Sequence, residues 1–275
     1  IDAIEIPAHS VVKLVHCGDI KRVVYIGVKS GNFNNYRRIS GGKMVNIRTG
    51  EVIECKASES RKDNISSLRK TVSRLRDLIN CNFFGDNNEL FITLTYGENM
   101  TDVGRLYKDF DHFYKKLKYN YKDIEFRYIS VIEPQGRGSW HLHLLLKALN
   151  KDYLYIDNNS VLCKLWGHGF TYTERLKGVD NVGAYLSSYL TDLFGEKGKK
   201  KGQRLYMYPV GVNIYRCSRN CVRPVEEKVL YNDLDNLKSF KTYEVTYGVF
   251  DENENRCNVI KKEYYNLRRK NKKNL

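Results

Sequence analysis

No run of apolar residues in this 275-residue sequence approaches the length of a membrane span, and no signal-peptide pattern opens it. The seven cysteines are scattered. Only Cys217 and Cys221 stand close together, without the second pair or nearby histidines of a zinc site. We therefore predict a cytoplasmic protein with reduced thiols and no membrane partner. A nucleotide-binding P-loop is also absent, because Gly41, Gly42 and Lys43 lack the required preceding glycine spacing.

The chain is instead rich in positive charge and in aromatic side chains. Its formal net charge is +15, and 21 tyrosines and 11 phenylalanines lie among 47 lysines and arginines. This combination favours a polyanion with stackable bases as the partner. An anionic membrane fits less well, since no amphipathic basic helix stands out. A merely solvated basic surface is the alternative that carries no function.

Two histidines alternate with apolar residues in the stretch 140–147, WHLHLLLK. This alternation predicts a strand on which His141 and His143 share one face while the leucines at 142, 144 and 146 face the core. A second apolar run at 128–133 precedes it, and the Pro- and Gly-rich residues between the two runs predict a hairpin. With the turn centred near Arg137, Glu133 pairs across from His141.

Glu133, His141 and His143 would then form one cluster, because cross-strand partners share a face of the sheet. Two imidazoles and one carboxylate with open positions are a ligand set for a divalent metal. Two histidines in a strand are also compatible with half-exposed side chains of no special role. The metal hypothesis therefore depends on the hairpin that adds the carboxylate.

The remaining periodicity predicts an α+β fold. Its core is a central antiparallel sheet of split βαβ type, as in ferredoxin-like and RRM-like domains, with helices packed on one side and a β-rich N-terminal extension. The expected strands, besides the histidine hairpin, are a hairpin at 44–53 and single strands at 90–96 and 170–176. The expected helices are 64–79, 102–119 with Asp102 as the N-cap, 160–166 and 179–193.

The helix predicted over 179–193 carries two tyrosines, Tyr185 and Tyr189, one turn apart beside an apolar stripe. Phosphodiester cleavage by a tyrosine needs a phenol oxygen in line with the phosphorus and a cation that neutralises the developing charge. A tyrosine on a rigid helix facing a metal would supply that oxygen. Packing beside a sheet is the other role open to both rings. The histidine cluster upstream favours the catalytic one.

Three motifs, taken in order, resemble those of the HUH endonucleases of rolling-circle replication, the initiators of plasmids, phages and related mobile elements. FITLTY at 91–96 resembles the first motif, Glu133 with HLH at 141–143 the second, and GAYLSSYLT at 183–191 the third. WGHGF at 166–170 is similar to a sequence of such proteins. The resemblance covers about residues 90–215. We therefore divide the chain into a basic N-terminal extension (1–85), an endonuclease domain (86–215) and a C-terminal extension with a basic tail (216–275).

The resemblance implies that His141, His143 and Glu133 bind Mg²⁺ or Mn²⁺, and that Tyr185 and Tyr189 are the catalytic pair of the two-tyrosine class. It implies an enzyme that nicks and rejoins single-stranded DNA at a hairpin origin through a 5′-phosphotyrosine, leaving a 3′-hydroxyl that primes synthesis. A host helicase and a DNA polymerase are the expected partners. The separate helicase follows from the missing P-loop.

The tyrosine helix departs from the family pattern at one point. The family commonly places a lysine three residues after a tyrosine, whereas this chain has Ser188 and Asp192 there. A lysine of the basic loop 197–201 is the expected substitute. Thr93 and Thr95 are expected to support the site without taking part in chemistry, and His168 to be a turn residue.

Other classes of protein share parts of this pattern. A conjugative relaxase fits less well because its tyrosine typically precedes the histidines, while a two-tyrosine HUH transposase stays open. Fe(II) oxygenases use the same ligand set but require neither a basic chain nor a tyrosine helix. A basic module that only binds single strands is the non-enzymatic alternative. Formation of a covalent DNA adduct separates the nucleases from the last two classes.

Overall fold

The computed structural model describes residues 4–27, 36–54, 65–191, 208–209, 211–250 and 256–269. The chain divides into two compact units: one combines Ile1–Glu59 with Val225–Leu275, and the other comprises Ser60–Pro224. The three-part division expected from sequence, with boundaries after residues 85 and 215, remains a prediction about domains. Among the helices of the described ranges, none has the length and apolar character to cross a membrane.

The strands are β1 (Val11–Cys17), β2 (Ile20–Ile26), β3 (Tyr36–Ile39), β4 (Lys43–Asn46), β5 (Val52–Glu54), β6 (Glu89–Thr95), β7 (Phe126–Pro134), β8 (Trp140–Ala148), β9 (Thr171–Glu174), β10 (Tyr215–Cys217), β11 (Val225–Leu230), β12 (Lys241–Phe250) and β13 (Arg256–Asn266). The helices are α1 (Ile65–Asn80), α2 (Val103–Asn120), α3 (Cys163–Trp166) and α4 (Val182–Thr191), with a π-helical turn at Asn158–Leu162 and a 3₁₀ segment at Tyr231–Phe240.

The first unit is built on a five-stranded sheet in the order β11-β1-β2-β13-β12, in which all neighbours are antiparallel. Its core includes Val12, Leu14 and Val23 from one face of the sheet, together with Leu234 and Tyr265. A separate three-stranded sheet contains the β4–β5 hairpin. The β-rich N-terminal region and the hairpin predicted at 44–53 are therefore confirmed.

The second unit contains the central sheet, in the order β10-β7-β8-β6-β9 with antiparallel neighbours throughout. β6, α2 and β7 form a βαβ unit whose two strands are separated by β8, which lies between them. This is the split βαβ arrangement. The predicted α+β fold class is confirmed.

Local sequence explains why these elements form where they do. The Asp102 side chain accepts hydrogen bonds from the N–H groups of Gly104 and Arg105 at 2.7 and 3.1 Å, which caps α2 as predicted. In the β7–β8 turn, the Gln135 N–H donates to the Ser139 carbonyl at 2.7 Å, and Gly138 has a φ of 89°. That positive φ favours glycine, so the Gly-rich link sets the turn and with it the register of the hairpin.

Helices cover both faces of the central sheet, so the expectation of helices on one side is wrong. α2 and α3 pack on one face, where the ring of Phe110 lies 5.3 Å from that of Tyr128. α1 and α4 pack on the other face, where Ile79 and Leu186 line a small cavity with His143. Periodicity along each helix shows which stripe is buried, but it does not show on which face of a sheet that stripe lands.

Candidate active site

The β7–β8 hairpin has the predicted register. Glu133 pairs with His141, and His143 follows two residues later on the same face. The leucines of β8 that alternate with the histidines point to the opposite face and are fully buried: Leu142, Leu144 and Leu146. The burial of these leucines holds the strand in one register, since a slip of one residue would send both histidines into the core.

His143 is the best-fixed member of the cluster. Its Nε2 atom lies 2.8 Å from Glu133 Oε2, and its Nδ1 atom lies 3.2 Å from Thr93 Oγ1 on the neighbouring strand β6. The ring also stacks on Phe91, with centroids 5.5 Å apart. Thr93 thus supports the site, as expected from sequence. These contacts orient the imidazole so that Nε2 is the nitrogen directed toward the carboxylate.

His141 lies at the open end of the cluster, and its ring centroid is 6.4 Å from that of His143. Its Nδ1 atom is 3.4 Å from Gln135 Nε2. An open depression of about 530 Å³ begins here, and its lining residues are Glu133, Gln135, Gly136, Arg137 and His141. Access from solvent therefore reaches two of the three predicted ligands.

The turn contributes two residues that sequence reasoning did not assign to the site. Arg137 Nε donates to Gln135 Oε1 at 3.2 Å, and Gln135 in turn contacts His141. A guanidinium is thereby held beside the depression, where it adds positive charge for an anionic ligand. The one signal in the sequence was a charged residue inside a tight turn next to a histidine strand.

The three predicted ligands suit a divalent cation by their chemistry, because they offer one carboxylate and two imidazoles on one face at an open depression. Their side chains, however, form a histidine–carboxylate pair and a histidine–amide contact. Within the described ranges no group of three or more His, Cys, Asp or Glu side chains is arranged to hold a metal ion. Metal binding by these residues stays a prediction.

Helix α4 crosses the histidine-bearing face of the sheet. A cavity of about 20 Å³ lies beneath it, lined by Ile79, Phe91, Ile129, Val131, His143, Leu145 and Leu186. Gly183 makes the close crossing with α1 possible, because a Cβ atom there would lie 2.6 Å from the Arg76 carbonyl oxygen. Its N–H donates to Asn80 Oδ1 at 2.8 Å. α1 is therefore the brace that fixes α4 above the sheet.

Tyr185 precedes the buried Leu186 in α4, and its side chain is 36% exposed. A phenol on this helix therefore lies next to the residue that shares a cavity with His143. Tyr189 and Ser188 belong to the same helix, but their side chains are outside the described residues. Asp192 and the lysines of 197–201 also lie outside them, so the expected substitute for the family lysine stays a prediction.

The WGHG segment closes the end of β6 on the opposite face. Trp166 Nε1 donates to the Thr95 carbonyl at 2.9 Å, and the Gly97 N–H donates to the His168 carbonyl at 2.9 Å. Gly169 has a φ of 154°, and a Cβ atom there would lie 2.4 Å from Gly97 N. The glycine is required by this close approach, which makes the segment a structural lock.

Beside this lock is a polar cluster that sequence reasoning missed. His168 Nε2 lies 3.6 Å from Asp109 Oδ1, and Tyr96 donates its hydroxyl to Asp109 Oδ2 at 2.8 Å. Burial, reinforced by the Asp109 carboxylate, raises the pKa of Tyr96 far above its ordinary value. Asp109 is thus a helix residue that orders a turn histidine, and no local motif announces it.

The fold and the cluster together define an α+β protein whose split βαβ sheet carries a histidine–carboxylate cluster on the face crossed by a tyrosine-bearing helix. Residues 89–194, from β6 to just past α4, match a family model described as a replication-associated protein of the ORF2 family. The match includes all five predicted site residues and supports a replication initiator. No curated protein and no solved structure matches the chain.

Proposed function

We propose that this chain is a rolling-circle replication initiator that nicks and rejoins single-stranded DNA at an origin. The family match over 89–194 supports a role in replication. One observation carries the nicking step: the tyrosine helix α4 packs on the sheet face that bears Glu133, His141 and His143. A phenol nucleophile and a phosphate-binding cluster are thereby built into one surface.

Each group of the cluster has a role in this proposal. His141, His143 and Glu133 would hold Mg²⁺ or Mn²⁺, which when bound neutralises charge on the phosphate oxygens. For His143 to ligate through Nε2, its proton must reside on Nδ1, where Thr93 Oγ1 lies at 3.2 Å and accepts it. Arg137 adds a second positive charge at the same depression.

The chemistry balances without a further reactant. The phenol oxygen of Tyr185 or Tyr189 attacks the phosphorus and loses its proton, while the bond from phosphorus to the 3′-oxygen breaks and that oxygen leaves as a hydroxyl. The products are a 5′-phosphotyrosine and a free 3′-hydroxyl that primes synthesis. Because the phosphoester bond is conserved, attack by a 3′-hydroxyl on the phosphotyrosine rejoins the strand.

The proposal extends to partners. Hairpin origin DNA is the substrate, and a host helicase and a DNA polymerase act with the chain in the cytoplasm. The helicase is proposed because the sequence shows no nucleotide-binding P-loop.

The test is a nicking assay on end-labelled hairpin DNA with Mn²⁺, scored for cleavage and for a covalent protein–DNA adduct. We expect the wild-type chain to form the adduct. The double variant Tyr185→Phe/Tyr189→Phe should lose at least about 10³-fold in rate, because no phenol remains to attack. The single variants assign the first nucleophile.

Tyr119→Phe is the matched control, since this tyrosine is 71% exposed and lies on α2. It should nick like the wild-type chain. Cleavage without any adduct, or full activity in the double variant, would overturn the proposal.

A further inference from the structure

Phe170 and Tyr172 stand exposed at the edge of the central sheet. Their side chains are 72% and 62% exposed, and β9 is the outermost strand on this side of the sheet. Two large rings two positions apart project to the same side of an extended chain. Such a pair of rings in solvent forms a flat surface of a kind that marks interaction sites.

Strand register places both rings in line with the candidate active site. Tyr172 pairs with Thr93, which pairs in turn with His143. The Thr95 N–H donates to the Phe170 carbonyl at 2.9 Å, which extends the same register by one residue. Phe170 and Tyr172 therefore occupy the rows of His141 and His143, two strands away and about 10 Å across the sheet.

The backbone that carries the two rings is firmly held. Gly169 fits against Gly97 at a distance that no side chain could accept. Asn158 donates to the Thr171 carbonyl at 2.9 Å and accepts from the Thr173 hydroxyl at 3.1 Å. Rings on a fixed strand lose little freedom when a ligand stacks on them, so they bind it at low entropic cost.

Positive charge flanks this edge. Lys164 and Lys177 are exposed on the segments just before and after β9. Arg175 lies with its guanidinium 4.3 Å from the centre of the Tyr153 ring. The acidic residue of the strand, Glu174, lies one row farther from the histidines. Exposed rings beside cations are the combination that binds single-stranded nucleic acid.

We propose that Phe170 and Tyr172 form an aromatic platform on which unpaired bases of the DNA strand stack, next to the phosphate bound at Glu133, His141 and His143. The inference rests on the proposed function for the identity of the strand. It adds a subsite that selects unpaired over paired DNA, because bases within a duplex have no free face to offer.

The test measures the affinity of the full chain for a labelled single-stranded oligodeoxynucleotide in the presence of EDTA. Phe170→Ala/Tyr172→Ala should bind at least about 5-fold more weakly, and up to about 150-fold for each ring that stacks on a base. Phe170→Tyr/Tyr172→Phe keeps both rings and should bind like the wild-type chain. Tyr119→Ala removes an equally exposed ring from α2 and should also leave affinity unchanged.

A second probe separates stacking from other contacts. An oligonucleotide with abasic sites keeps its phosphates but offers no bases. The wild-type chain should lose affinity for it, whereas the double alanine variant should bind both strands alike. Equal loss by the variant on both strands would mean that the rings contact the backbone, and the platform would be wrong.

The outcomes distinguish the platform from the nicking proposal. If the alanine variant loses affinity and the wild-type chain forms no adduct, the platform stands and nicking fails. If the wild-type chain nicks and the alanine variant binds and nicks equally well, the platform alone fails. A change in oligomeric state on ultracentrifugation, with DNA affinity unchanged, would assign the rings to self-association and also overturn the platform.

Discussion

Two carboxylates stand on the same face of the central sheet, at its opposite ends, and they are treated very differently. Glu89 pairs with Lys147 across β6 and β8, and its side chain is fully buried. It accepts hydrogen bonds from the N–H groups of Phe84, Gly85 and Asp86 and from Lys147 Nζ at 2.8 Å. Glu133 pairs with His141 across β7 and β8, keeps 17% of its side chain exposed and opens onto a depression.

The difference shows what separates a structural carboxylate from one that is available for binding. At Glu89 every partner is supplied by the protein, and four donors surround two oxygens. A carboxylate so saturated has no reason to bind a ligand. At Glu133 a histidine is the partner, and imidazole nitrogen is itself a metal ligand. A cation can therefore be held there by the same groups that now contact each other.

The largest effect expected from this comparison is on stability. Glu89→Ala should lower the free energy of unfolding by about 3–5 kcal/mol, because it leaves Lys147 and three N–H groups buried without their acceptor. Chemical denaturation followed by circular dichroism measures the change. A loss below about 1 kcal/mol would show that water replaces the carboxylate and that this end of the sheet is not sealed.

Glu133→Ala is the matched variant at the open end. It should cost less than about 1 kcal/mol of stability, since its partner His143 can turn to solvent. Binding of Mn²⁺, followed by isothermal titration calorimetry, should instead be lost. Equal destabilisation by the two alanine variants, with Mn²⁺ binding retained, would erase the distinction between the two ends.

A smaller effect is expected at Thr93, which supports the cluster from the neighbouring strand. Thr93→Val keeps the shape of the side chain but removes the oxygen 3.2 Å from His143 Nδ1. Loss of such an outer partner should weaken Mn²⁺ binding about 10- to 100-fold and leave folding nearly unchanged. Thr95→Val is the control, being one row further along the same face. Identical Mn²⁺ affinities of the two variants would remove Thr93 from the site.

Much of the central sheet could be predicted from sequence because its signals are local. Alternation in β8, the glycine-rich turn and the Asp102 cap each lie within a few residues of the structure they determine. The other sheet could not be predicted in the same way. β1 pairs with β11, more than 200 residues later, and two such strands carry no mark of one another.

The candidate site divides along the same line. Glu133, His141 and His143 meet through one hairpin, so their shared face followed from a short stretch of sequence. The partners that tertiary packing brings in did not follow from it. Gln135 and Arg137 were assigned only to a turn, and Asp109 reaches His168 from a helix almost sixty residues earlier. Side-chain direction in turns and between layers is decided by packing, which has no period to detect.

The smallest effect expected concerns pH and extends the contrast between sealed and open groups to the opposite face of the sheet. Burial there, with a contribution from Tyr128, raises the pKa of Tyr114 from 10.0 to about 12. Between these values the unfolded chain loses the phenol proton and the folded chain keeps it. This contribution to stability is therefore complete below pH 10 and lost as pH rises toward 12, by at most about 1.4 kcal/mol per pH unit. Unfolding curves from pH 9 to 12 should fall less steeply for Tyr114→Phe than for the wild-type chain, with equal slopes below pH 9. If the two slopes agree above pH 10 as well, Tyr114 ionises freely in the folded chain and this face is more open than its packing suggests.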